Sequence, residues 1–237
     1  MKTMGLIGGM SWESTLEYYR IINEEVRNRL GGQHSAELLL YSLDFHPIEE
    51  LQRQGKWDEM TQILIDAAKR LEKAGADFVL ICTNTMHKMA PEVQDSIKVP
   101  LLHIADATAE QIKASGFSKV GLLGTKYTME QDFLKGHLSS KHGLEVVISD
   151  DASRDIVHNV IYDELCLGTI KEESKKKFLK IIQDLAANGA QGIILGCTEI
   201  PLLVHAEDTS LPLFNTTAIH AKKAVDMALE GSEPQKA

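Results

Sequence analysis

Ala74-Gly75-Ala76-Asp77-Phe78-Val79-Leu80-Ile81-Cys82-Thr83 lies without a gap over Asn188-Gly189-Ala190-Gln191-Gly192-Ile193-Ile194-Leu195-Gly196-Cys197, 114 positions further on. In each stretch a glycine follows a helical pattern at the position where helices commonly turn left-handed and stop. A short run of Ile, Leu and Val comes next, as in a strand buried on both faces. Two more pairs keep the same order: Gly5-Leu6-Ile7-Gly8 over Gly121-Leu122-Leu123-Gly124 at 116, and Val99-Pro100-Leu101-Leu102 over Leu211-Pro212-Leu213-Phe214 at 112. Three matches in one order, each at a strand or its edge, predict a duplicated chain of two related βα lobes.

The same reading extends outward to the whole chain. Strands are predicted at Thr3–Ile7, Ala36–Ser42, Phe78–Ile81, Leu101–His103, Lys119–Leu123, Glu145–Ile148, Gly192–Leu195 and Leu213–Asn215. Helices are predicted at Ser14–Leu30, Trp57–Ala74, Ala105–Ser115, Met129–Lys141, Asp155–Leu167, Glu172–Asn188 and Ala218–Leu229. Apolar strands alternating with helices indicate an α/β fold of two similar Rossmann-like lobes with parallel sheets. The lobes are expected at 1–104 plus 215–237 and at 105–214, with the active site in the cleft between them. The polar stretch Gly231–Ala237 lacks periodicity and reads as a frayed tail.

The 237 residues include 43% hydrophobic and 25% charged side chains, an ordinary globular composition. A formal net charge of −9 opposes binding to nucleic acid or anionic lipid. The apolar run at the N-terminus is too short for a signal peptide, and no stretch approaches a membrane span. A cytoplasmic protein is expected, with no membrane partner. Cys82, Cys166 and Cys197 are sparse and odd in number, which favours reduced thiols over a disulfide framework. With no Cys-x-x-Cys or His-x-x-x-His spacing beside them, no metal site is expected.

In parallel sheets the ligand site collects at the carboxyl ends of the strands. Those ends hold Gly8-Gly9-Met10-Ser11, Cys82-Thr83-Asn84-Thr85, Gly124-Thr125 and Cys197-Thr198-Glu199. Cys197 stands where peptide N–H groups of the following turn would favour a thiolate. Glu199 beside it would instead raise the pKa or relay a proton. Read alone, Cys197 is more often a small apolar core residue, as most lone cysteines are. Asn84, Thr85 and Thr198 can hydrogen-bond a substrate carboxylate, or simply cap the strand ends. Thr125 and Thr128 hold the corresponding place in the second half, and Met10 and Ser11 in the first.

Gly196-Cys197-Thr198-Glu199 after one apolar run, and Cys82-Thr83-Asn84-Thr85-Met86-His87 after another, resemble the paired signatures of the aspartate/glutamate racemase family. Gly5-Leu6-Ile7-Gly8-Gly9-Met10-Ser11 is similar to its N-terminal loop. Ser11-Trp12-Glu13-Ser14-Thr15 and Tyr127-Thr128-Met129-Glu130-Gln131-Asp132-Phe133 resemble a bacterial L-aspartate/glutamate-specific or broad-specificity amino-acid racemase subgroup. The resemblance implies an isomerase that needs no pyridoxal phosphate and no other cofactor. In such an enzyme two thiols on opposite faces of the substrate Cα remove and return a proton.

This chain departs from that pattern. The family places a cysteine directly before Asn-Thr, where Thr83 stands here, and the internal overlay likewise sets Cys197 opposite Thr83. A shift of one residue along a strand turns a side chain to the other face, so Thr83 is read as the acid opposite Cys197. Cys82 delivered by a bulge is the alternative. The family's carboxylate-binding Lys corresponds to Cys166, and its Arg to no clear residue, with Gln52 or Arg53 nearest. His87 and His103 read as packing histidines or as acid/base groups. Trp12, Tyr18 and Tyr19 read as core or as the contact of a homodimer, which the family often forms. Competing functions are hydantoin racemase, maleate isomerase, malonate decarboxylase and a catalytically silent amino-acid-binding protein.

Overall fold

The computed structural model describes residues 1–231, so the tail reading from 232 onward lies outside the described residues. Among the described residues, Met1–Ile104 and 220–231 form one compact unit, and Ala105–Ile219 forms the other.

In the first unit β1 (Met4–Gly8), α1 (Trp12–Leu30), β2 (Leu38–Ser42), α2 (Phe45–Arg53), α3 (Trp57–Lys73), β3 (Phe78–Ile81), α4 (Ala90–Ser96) and β4 (Leu101–Leu102) lead to α5 (Ile104–Ala114). The strands pair in parallel in the order β2-β1-β3-β4. Every residue of β1 and β3 is buried, because helices cover both faces of the sheet. On one face Met4, Leu6, Phe78, Leu80 and Cys82 pack with Tyr18, Ile22 and Val26 and with Ala221, Ala224 and Val225. On the other, Ile7, Val79 and Ile81 pack with Met60, Leu64, Ala67 and Leu71 of α3. The two-residue period of the strand thus sorts alternate side chains into two cores.

The second unit continues with β5 (Lys119–Leu123), α6 (Lys126–Glu130), α7 (Asp132–His142), β6 (Glu145–Val147), α8 (Asp151–Asp163), α9 (Glu172–Ala187), β7 (Ile193–Leu195), α10 (Ile200–Leu203) and β8 (Leu213–Asn215). The final helix, α11 (Thr216–Leu229), returns the chain to the first unit. The parallel order β6-β5-β7-β8 repeats that of the first sheet, strand for strand, as the internal overlay requires. Gly75 and Gly189, at φ 102° and 90°, both take the left-handed conformation after α3 and α9.

The structure redraws several helices. The predicted helix Met129–Lys141 is broken at Gln131, whose extended backbone ends α6 and precedes α7. The helix expected at Asp155–Leu167 starts earlier because Asp150 accepts a 2.8 Å bond from the Ser153 N–H and caps α8. It ends before Leu165–Leu167, which form a separate 3-10 turn. The short helices α2, α4 and α10 carry too few turns to show a periodicity in sequence. No helix among the described residues is long and apolar enough to cross a membrane.

Candidate active site

The first strand-end group begins where β3 stops. Cys82 continues the face of Phe78 and Leu80 and is only 1% exposed. Its N–H donates to the Ile7 carbonyl at 2.9 Å and its carbonyl accepts from Ser14 Oγ at 2.8 Å. Burial pushes its thiol pKa up, so it is held as a neutral core sulfhydryl. Thr83 is half-buried in the bend that follows. His87 Nδ1 donates to the Thr83 carbonyl at 2.8 Å, while the Ile104 N–H donates to His87 Nε2 at 3.2 Å. His87 is therefore a buried histidine satisfied at both nitrogens, and it pins the bend that carries Thr83. The His103 ring meets it edge-on, with centroids 4.7 Å apart.

The sequence reading does not single out His220, a buried polar residue of α11 among buried Ala221, Ala224, Val225 and Ala228. The Tyr18 hydroxyl donates to its Nδ1 at 2.8 Å, and its Nε2 donates to the Leu102 carbonyl at 2.9 Å. Burial lowers its pKa to about 3. Tyr18 is accordingly a core residue, whereas Trp12, Leu16 and Tyr19 of the same helix are exposed.

The remaining residues of the first unit divide by burial. Asn84, Met10 and Gln52 are buried, Thr85 is half-buried, and Arg53 is exposed beside Glu49. Met10 packs with Ile48 and Met60. Ser11 caps α1, its Oγ accepting from the Ser14 N–H at 3.4 Å. Gly9 is required at its place: φ is 85°, and a Cβ there would lie 2.1 Å from the Leu43 carbonyl oxygen.

In the second unit β7 ends at Leu195, and the Gly196 N–H donates to the Leu123 carbonyl at 2.7 Å. Cys197, Thr198 and Glu199 follow, all half-buried. Cys197 Sγ donates to Glu199 Oε2 at 2.8 Å, and Thr198 Oγ1 donates to the same oxygen at 2.9 Å. Desolvation raises the Cys197 thiol pKa well above its ordinary value, the Glu199 carboxylate raises it further, and nearby Cys166 adds to the rise. The Glu199 N–H does favour the thiolate, as the turn geometry suggested. It is outweighed, because a desolvated sulfur facing a carboxylate loses more from ionising than one N–H returns. Thr125 caps α6 and Thr128 is fully buried beside it, with their hydroxyls 3.3 Å apart.

These features define a duplicated α/β protein with a half-buried thiol–carboxylate pair at one strand end and a half-buried threonine at the equivalent end of the other sheet. The family model for Asp/Glu/hydantoin racemases matches residues 7–224. The chain belongs to that family, and it is an amino-acid racemase. A candidate Asp/Glu racemase from Yersinia pestis is 57% identical, with a TM-score of 0.93 over 97% of this chain and 100% of that one. An aspartate racemase homologue from Pyrococcus horikoshii is 39% identical, with a TM-score of 0.86 over 96% and 99%. The broad-specificity amino-acid racemase of Bacillus subtilis is 25% identical over 95% of this chain and 98% of its own.

Proposed function

We propose that this protein interconverts the L and D enantiomers of aspartate, glutamate or a broader set of amino acids without a cofactor. Cys197 acts as base and Thr83 as the acid on the opposite face of Cα. The observation that carries the reading is the 2.8 Å hydrogen bond from Cys197 Sγ to Glu199 Oε2. A thiol held neutral has to release its proton before it can remove one from carbon, and Glu199 is an acceptor already in place. The thiolate takes the Cα proton, the carbanion takes the Thr83 hydroxyl proton, and exchange with water restores both groups. Burial of Cys82 in the α1 and α11 core supports Thr83 as the partner.

Gln52, Asn84, Thr85, Thr125, Thr128 and Thr198 supply hydrogen bonds to the substrate, and Met10 and Ser11 shape its surroundings. Gln52 is preferred to Arg53 because its side chain is buried on α2 rather than solvated. Cys166, where the family resemblance leads one to expect a lysine, brings no positive charge to a second carboxylate. That loosens the case for acidic substrates and favours a screen over several amino acids. Exposed Trp12, Leu16 and Tyr19, spaced along one side of α1, support a homodimer, which sedimentation equilibrium checks.

The deciding measurement is proton NMR in deuterated water across a panel of L- and D-amino acids. Deuterium entering Cα is expected with the native chain. A folded Cys197→Ser variant is expected to lose exchange by orders of magnitude. Turnover close to native in that variant removes Cys197 as the base. Retained activity after treatment with carbonyl-trapping reagents checks independence from pyridoxal phosphate.

A further inference from the structure

A cluster of ionisable side chains that includes none of the proposed catalytic or substrate-binding residues stands in the second unit. Asp106 lies in the first turn of α5, and His137 and His142 lie in the C-terminal half of α7. Nε2 of His137 and Nε2 of His142 each stand 2.6 Å from the same atom, Asp106 Oδ1. One donor atom from each residue comes within 4.8 Å of the other two. The side chains are mostly withdrawn from solvent, at 24%, 14% and 26% exposure for His137, His142 and Asp106. Lys141 Nζ donates to the other carboxylate oxygen, Oδ2, at 2.8 Å.

Two imidazoles and a carboxylate are a donor set that zinc and its neighbours prefer. Tetrahedral ligands about 2.0–2.1 Å from an ion are roughly 3.3 Å apart, so each nitrogen need retreat only about 0.7 Å from Oδ1 to admit one. An N–H···O bond is ordinarily about 2.9 Å long, and two shorter ones converge here on a single oxygen. Lys141 engages Oδ2 and leaves Oδ1 to bind alone, the kind of outer contact that orients a metal-binding carboxylate. The histidines are five residues apart on one helix and Asp106 is 31 residues before the first, so no familiar spacing reveals the set.

We propose that Asp106, His137 and His142 form a binding site for a divalent transition-metal ion of the zinc class. The ion ties the first turn of α5 to the C-terminal half of α7, with water completing its coordination. This assignment is independent of the racemase chemistry at Cys197.

Calorimetric titration of the full-length, chelator-treated protein with zinc chloride is expected to show saturable one-to-one binding. Cobalt(II) in its place should give the visible bands of tetrahedral nitrogen and oxygen ligation, without thiolate charge transfer. His137→Ala and His142→Ala should each weaken zinc binding by more than about tenfold, since losing a ligand costs at least as much as losing its outer partners. A measurement on the unmutated protein guards against misfolded variants. Zinc should protect His137 and His142, but not exposed His46, from diethyl pyrocarbonate, as mapped by mass spectrometry. Zinc binding that persists in the doubly substituted protein, cobalt bands showing cysteine ligation, or absence of protection at both histidines would overturn the assignment.

Discussion

Cys82 and Thr83 are adjacent, yet their environments predict opposite consequences on truncation. Cys82→Ala removes one sulfur from a core in which the side chain is 1% exposed. The loss is similar in size to the single methyl of an Ile→Val change, which costs about 0.5–1.5 kcal/mol through lost transfer energy and the cavity left behind. For a chain of this length each kcal/mol lowers Tm by about 2–4 °C, so a fall of about 1–6 °C is expected. Exchange at Cα should stay within about threefold of native. Thr83→Ala acts on a half-buried side chain at a bend. Its stability cost should be within about 0.5 kcal/mol, while exchange falls by at least the roughly 10²-fold attributed to a positioned acid. The assays are thermal unfolding followed by circular dichroism and deuterium incorporation at Cα, run on the same preparations. If Cys82→Ala abolished exchange in a folded protein while Thr83→Ala kept it, the argument from strand register would be refuted.

Thr83→Cys should raise kcat for the D-enantiomer, since a thiol is the better base; because enantiomers have equal free energy, kcat/KM must remain equal in the two directions, and a one-sided change in that ratio contradicts reversible racemisation. Glu199→Gln removes the carboxylate that adds to desolvation in raising the Cys197 pKa, so ultraviolet titration of the thiolate should move to lower pH, and an unchanged titration would deny the coupling. The folded-state pKa of His220 is lowered to about 3 by burial, below its unfolded value of about 6.5, so the unfolded chain binds the extra proton and stability falls as pH drops from about 6.5 towards 3. Below about pH 6 the slope from this one group approaches 1.4 kcal/mol per pH unit. Urea unfolding of the native protein and His220→Gln should therefore converge in stability as pH falls from 6.5 to 5, and parallel curves would count against the buried neutral imidazole.

The duplicated α/β architecture was legible in the amino-acid sequence because its determinants are local. Short Ile/Leu/Val runs mark strands covered on both faces, and Gly75 and Gly189 stop the helices before β3 and β7 through a backbone conformation that glycine adopts without strain. The ungapped overlay also set Thr83 against Cys197, since register along a strand is a matter of counting. The sequence could not say which core received Cys82, because that depends on α1 and on α11, whose residues lie more than 130 positions away. Nor could it separate buried Gln52 from exposed Arg53, or core Tyr18 from exposed Tyr19, since α2 is too short for a clear period and neighbouring positions on a helix face different surroundings. The desolvation that decides the Cys197 pKa, the Tyr18–His220 pair and the Asp106–His137–His142 cluster came only from tertiary structure. Desolvation and charge act through space, and packing brings together side chains that the chain order keeps apart.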